Sequence, residues 1–219
     1  MQSNQRTKKL AVLAMLAALA MVAVMVCRIP VVLFLKYEPK DVIIALGGFL
    51  YGPLSAVAIS VVTAFVEMFT ISDTGFWGLV MNILSSCAFA GTASVIYQRR
   101  RTLGGAAVAL FAGVAATTAI MLLWNYLITP IYMEVPRSEI VKLLIPAFLP
   151  FNLLKGTLNA GLLMILYQPV VTALRRAGLL AKSAVARRGG WRTYVGVCAI
   201  ALVVVGGSVL AVLAMRGVI

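Results

Sequence analysis

The sequence predicts an all-α integral membrane protein: a six-helix bundle with an additional transmembrane helix at its carboxy-terminal end. Three observations carry this. Of 219 residues, 63% are hydrophobic and only 11% charged. Mean hydropathy is +1.04. Apolar runs of bilayer-crossing length recur along the chain, separated by short polar or basic segments. A soluble domain of this composition would have almost no polar surface to present to water.

The first run, Leu10 to Cys27, follows Arg6, Lys8 and Lys9. The basic start is that of a signal peptide, but the run is long and lacks a convincing small-residue cleavage site, so it reads as a retained helix. Ala11, Ala14 and Ala18 form a small-residue stripe on it, of the kind that lets helices approach closely; a face of lipid-exposed alanines is the alternative. From Arg28 to Lys40 the chain reads as a loop of mixed character, with apolar residues able to fold back over a site. Asp41 opens a short second run ending at Tyr51-Gly52-Pro53, a turn signal. A third segment, Leu54 to Ile71, carries Glu67 near its far end. Ser72-Asp73-Thr74-Gly75 is a polar turn, and Asn82 lies one turn or so into the fourth span, roughly Phe76 to Tyr97, which Arg99, Arg100 and Arg101 close.

The fifth span, roughly Ala106 to Ile128, contains the small pair Ala109 and Gly113 and ends in Trp124-Asn125-Tyr126, before Thr129-Pro130-Ile131-Tyr132. A loop with Glu134, Arg137, Glu139 and Lys142 leads to the sixth span, Leu143 to Tyr167. A basic linker with Arg175, Arg176, Lys182, Arg187, Arg188 and Arg192 precedes a last apolar stretch, Tyr194 to Met215. Seven spans result. The corresponding division is a membrane domain over 1–176, a cytoplasmic linker over 177–192 and the added helix over 193–219.

With the amino terminus inside, twelve of the 19 Lys and Arg fall on the cytoplasmic side, as the positive-inside rule requires. All six acids (Glu38, Asp41, Glu67, Asp73, Glu134, Glu139) fall in outer loops or at outer helix ends. The predicted location is the cytoplasmic membrane, with the carboxy terminus outside if the seventh helix spans. The net charge of +13 sits beside apolar runs, so anionic lipid headgroups and not nucleic acid are its expected partner. The chain has no His, which excludes His-based acid–base and triad chemistry. Its three cysteines are scattered without metal-ligand spacing, so neither a zinc site nor a cofactor is expected.

The sixth span is the most informative. Asn152, Lys155 and Asn159 stand at i, i+3 and i+7 and share one helical stripe, while Pro146 and Pro150 loosen the same end. A lysine inside a span costs about 2.5 to 3.5 kcal/mol on insertion scales, so it is kept mainly where it faces a cavity, a partner or a ligand. Lys155 snorkelling to an interface, with the asparagines as interhelical glue, is the plainer reading. Lys155-Gly156-Thr157 is no phosphate loop, since the glycine-rich half and a preceding strand are missing.

The topology brings Asp41, Glu67, Asn82, Asn125, Asn152 and Lys155 to one outward-facing pocket, with Trp77, Tyr126 and Tyr132 as flat walls. Amides offer donors and acceptors in one plane and aromatic faces bury rings, which together suit a vitamin-like heterocycle. A small membrane enzyme using Asp41 and Glu67 as acid and base is a different reading of the same residues.

The motif series Lys36-Tyr-Glu-Pro-Lys-Asp41, Gly47-Gly48-Phe-Leu-Tyr-Gly52-Pro53, Ser72-Asp-Thr-Gly75 with Met81-Asn82, Asn125-Tyr126 with Pro130-Ile-Tyr132, and Pro150-Phe-Asn152-Leu-Leu-Lys155-Gly156 resembles the riboflavin-specific substrate-binding (S) components of energy-coupling-factor (ECF) transporters. The resemblance covers roughly residues 5 to 175. It implies six helices holding riboflavin near the outer face, under the first loop. Asn125, Asn152 and Lys155 would bind the flavin ring, with Asp41 nearby, and Glu67, Thr74, Asn82 and Tyr132 follow by neighbourhood. It also implies docking of the first helix, through Ala14 and Ala18, on a transmembrane coupling (T) subunit that carries two ATP-binding subunits. The chain has no Walker motif of its own. Another vitamin or a flavin nucleotide is the alternative ligand within the same class. The helix after residue 193 departs from the family's six.

Overall fold

The computed structural model describes residues 2–33, 35–179 and 191–215. Helix α1 (Gln2–Val26) leads into a hairpin of β1 (Ile29–Val32) and β2 (Leu35–Tyr37), antiparallel, with Ile29 opposite Tyr37 and Pro30 opposite Lys36. The loop expected over 28–40 is thus largely a hairpin, in which Val31, Leu35 and Tyr37 are buried. Pairing answers a physical need: a segment that folds back into an apolar bundle must satisfy its own backbone groups.

Helix α2 (Lys40–Tyr51) starts directly below the hairpin. At 12 residues it is about 18 Å long and cannot cross a hydrocarbon core of about 30 Å. It corrects the expectation of a full second span; among the described residues five other helical stretches have spanning length and hydropathy. Nine of its residues, from Lys40 to Phe49, are buried, which makes it the axial element of the bundle. Gly52 turns the chain with φ +96°, a left-handed value that a side chain would strain. Helix α3 (Pro53–Thr70) then runs back with proline in its first turn, where no amide hydrogen is needed. Lys9 Nζ lies 5.7 Å from the Tyr51 ring centroid, so the turn sits at the basic end of the bundle.

The fourth span is a continuous run of α4 (Gly75–Ser86), a π-helical turn (Cys87–Gly91) and α5 (Thr92–Arg99). Helix α6 (Leu103–Leu127) packs closely on it: a Cβ at Gly113 would come within 2.7 Å of the Phe89 carbonyl, and Ala109 is fully buried. Thr102 caps α6 by accepting a hydrogen bond from the Gly105 amide. Two short helices, α7 (Thr129–Met133) and α8 (Arg137–Leu143), follow.

Residues 137–142, expected in a loop, are helical because Pro136 stops the preceding chain and Glu139 pairs with Lys142 at i, i+3, 2.8 Å apart. A second π-helical turn (Leu144–Phe148) contains Pro146, and α9 (Leu149–Arg176) continues it. The loosening expected from Pro146 and Pro150 takes this form. Helix α10 (Trp191–Met215) packs along α9 and touches β1. Most of the linker expected over 177–192, with Lys182, Arg187 and Arg188, lies outside the described residues.

Two buried clusters hold the bundle. One joins α1, α2, α3, α5, α6 and α9 toward the basic end, where Phe49 stacks on Tyr97 at 4.1 Å. The other joins the hairpin to α8, α9 and α10 through Tyr37, Ile140, Phe148, Phe151 and Val212. Between them, toward the acidic end, lies the polar site.

A candidate binding pocket beneath the hairpin

A cavity of about 250 Å³ opens between the hairpin and helices α3, α4, α6, α7 and α9. Seven of the eight expected binding residues line it: Glu67, Thr74, Asn82, Asn125, Tyr132, Asn152 and Lys155. Helical stacking explains the last two, because residues three apart share a face. Asn152 donates to the Phe148 carbonyl at 2.8 Å and Asn125 to the Met121 carbonyl at 2.7 Å, while Thr129 donates to the Asn125 side-chain oxygen at 2.9 Å. These bonds hold the amide planes in place. Tyr132 brings its ring to the wall, and burial pushes its hydroxyl up, a hydrogen bond to Thr129 acting weakly the other way.

Asp41 is set behind the wall and buried. It accepts from Ser86 Oγ at 2.5 Å and from Asn159 Nδ2 at 3.5 Å, and pairs with Lys155 Nζ at 3.2 Å. Tyr37 donates to the Asn159 side-chain oxygen at 2.9 Å, which ties the hairpin to the same chain of contacts. Lys155 therefore has its counter-charge inside the protein while its ammonium reaches the cavity. Snorkelling to water is ruled out for it: the side chain is 13% exposed and is held by an acid on a neighbouring helix.

Sequence reasoning missed a second charged group. Lys40 is among the largest fully buried side chains of the described residues, and its Nζ contacts Glu67 at 2.5 Å and Glu38 at 2.8 Å. Arg28 pairs with Glu38 at 3.0 Å and donates to the Ile71 carbonyl at 2.7 Å. Lys36 reaches Asp73 at 2.6 Å. The signal was present in the adjacency of Lys40 and Asp41 inside an apolar context, since two opposite charges entering a membrane interior need partners. Burial raises the Glu38 carboxyl, but the charges of Lys40, Lys155 and Arg28 outweigh it and hold it below its ordinary value.

Two expected walls are corrected. Trp77 and Tyr126 are each 37% exposed and absent from the lining, the latter facing Arg137 at 5.1 Å. Both sit on the outer surface of their helices. Phe151, Met81, Met121 and Met133 provide the apolar lining instead. On α1, Ala11, Ala14 and Ala18 are exposed, whereas Val12, Leu16, Ala20 and Val24 face the core.

A helical membrane bundle with a small, amide-rich, charge-balanced cavity under a hairpin at one end defines a membrane-embedded binding protein for a small molecule. The chain belongs to the family described as the substrate-specific component of ECF transporters, whose model matches residues 8–167. It is similar to the riboflavin transporter FmnP of Bacillus subtilis (strain 168), 27% identical over 156 residues, covering 66% of this chain and 82% of that protein. It is also similar to the riboflavin transporter RibU of Staphylococcus aureus (strain TCH60), 25% identical over 182 residues, covering 78% of this chain and 95% of the other. A solved S component of a bacterial ECF transporter shares the fold, with a TM-score of 0.66 at 24% identity, covering 78% of this chain and 99% of that one.

Proposed function

We propose that this chain is the riboflavin-specific S component of an ECF transporter. It captures the vitamin in the cavity beneath the hairpin and delivers it inward by docking on a T subunit that carries two ATP-binding subunits. The observation that carries this reading is the gathering of Asn82, Asn125, Asn152 and Lys155, with Tyr132 and Phe151, around one slit. Amide groups and an ammonium on the rim can pair with the carbonyl and imide edge of a flavin, while aromatic and methionine side chains cover its rings. The names of the two curated relatives support the same ligand.

The enzyme reading loses its basis in the same residues. Asp41 and Glu67 are each engaged by an internal lysine, so neither stands ready to exchange a proton with a substrate. Uptake is powered by the partner ATPases, and riboflavin is cargo, with no resident cofactor. The orientation that fits the charge distribution puts the amino terminus and the basic end in the cytoplasm and the hairpin outside. Residues 1–176 are the binding domain and 193–219 the added helix. Titrating riboflavin into the purified protein and following its fluorescence tests the ligand: quenching at low micromolar concentration or below supports it, and quenching by another vitamin's competition alone would redirect the specificity.

A further inference from the structure

Helix α10 lies wholly beyond residue 167, where the family model ends. Its inward positions fall on one line. Ala201, Ser208 and Val212 are buried and Val205 is half-buried, at successive spacings of four, three and four, the rhythm of a helix that packs on one neighbour along its length. Ile200, Leu202, Val203, Val209 and Leu210, on its other faces, are exposed.

Helix α9 is shaped to receive this line. A Cβ at Gly161 would come within 2.8 Å of a Val205 methyl and 3.3 Å of the Ala201 carbonyl, so glycine there lets the two backbones approach. From that seam α10 runs toward the hairpin end of the bundle, antiparallel to α9. Val212 is buried there in one cluster with Val31, Leu35 and Tyr37 of the hairpin and with Phe151 and Leu154 of α9. Leu35 and Phe151 also line the binding cavity, so the cluster that α10 closes is a wall of the pocket.

The hairpin needs such a contact on one strand more than on the other. On β2, Lys36 pairs with Asp73 and Tyr37 donates to Asn159. All four side chains of β1 (Ile29–Val32) are apolar, so beyond its backbone pairing with β2 it is held by packing, and α10 touches it. Lipid tails are as apolar as valine, so what the Val212 contact supplies is close packing in one arrangement and not exclusion of water.

We infer that α10 is a positioning element for the pocket: through Val212 it holds β1, and with it the hairpin, closed over the cavity, and so slows escape of the bound vitamin. The ligand rests on the riboflavin reading above; the contact itself does not.

Two measurements on the full-length protein in detergent test this, comparing Val212→Ala with Val203→Ala, the same truncation on an exposed face of the same helix. The first is amide hydrogen exchange over Ile29–Tyr37 without riboflavin. Val212→Ala is expected to speed it about fivefold while α2 stays protected, and Val203→Ala to leave it at the wild-type rate. The second is riboflavin release, followed as fluorescence recovered on dilution. Val212→Ala is expected to raise the dissociation rate about fivefold and to leave the association rate within about twofold. Wild-type hairpin exchange in Val212→Ala, or equal acceleration in Val203→Ala, overturns the inference. Faster exchange with unchanged release contradicts the part given to α10 in retention. If wild type itself fails to quench riboflavin, the proposed ligand falls, and the exchange comparison alone upholds or overturns the hold of α10 on the hairpin.

Discussion

Lys40 Nζ stands 2.5 Å from a carboxylate oxygen of Glu67, with both side chains about 2% exposed. The same ammonium lies 2.8 Å from Glu38, so one lysine joins the end of the hairpin to α2 and α3. Removing it would strand two carboxylates in a membrane-embedded interior. Lys40→Met is therefore expected to destabilise the protein by about 3 to 5 kcal/mol, read as a large drop in melting temperature in detergent. Adding Glu38→Gln and Glu67→Gln to the same chain should recover most of the loss. A Lys40→Met protein that melts with wild type would show the cluster to be energetically idle.

The hairpin should loosen in acid. The folded value of Glu38 is lowered relative to the ordinary 4.5, so its contribution is full above that ordinary value and fades as pH falls through the lowered one. Amide hydrogen exchange over Ile29–Tyr37, corrected for intrinsic rates, is expected to stay flat from about pH 7 to about pH 5 and to rise below about pH 4. Glu38→Gln should loosen the hairpin at neutral pH and reduce the pH dependence, the Lys36–Asp73 pair leaving the remainder. Protection that persists in acid would contradict the role given to this carboxylate.

Asp41 is proposed to act on the ligand through Lys155. Its carboxylate accepts from Ser86 and Asn159 and pairs with Lys155 at 3.2 Å, so Asp41→Asn leaves the ammonium less firmly placed. Affinity for riboflavin is expected to fall by about tenfold, less than in Lys155→Ala, and the double variant should be no worse than Lys155→Ala alone. Additive losses would show that Asp41 contacts the ligand directly.

The exposed alanine face of α1 is the expected docking surface for the T subunit. Ala14→Trp and Ala18→Trp add bulk at exposed positions, so they should abolish uptake in cells that carry the full transporter while leaving riboflavin affinity of the isolated protein within about twofold. Loss of binding in the isolated variants would count against this face.

The alternation of apolar runs, basic segments and acidic ends made most of the bundle legible, because the bilayer leaves a helix few alternatives. The stripe of Asn152 and Lys155 was legible for a similar reason: in a uniformly apolar span a polar side chain stands out, and helical spacing says which residues share a face. What escaped was set by tertiary contacts. Lys40 looked like a loop cation because nothing local reveals that the chain from Arg28 folds back and pairs as a hairpin. Trp77 and Tyr126 looked like ring-stacking walls because residue type alone does not say on which side of a helix a neighbouring span will pack. The half-length of α2 was hidden too, since its burial comes from the hairpin above it and not from its own hydropathy.

The central claim is that Lys155 and its neighbouring amides form a riboflavin site. The most direct test is a paired titration in detergent, following riboflavin fluorescence on addition of wild type or Lys155→Ala, both checked for equal thermal stability. Wild type should quench strongly, and the variant should bind about ten- to a hundredfold more weakly, the range for a lost hydrogen bond to a charged group. Equal affinity in the two proteins, or no quenching by wild type, would contradict the account.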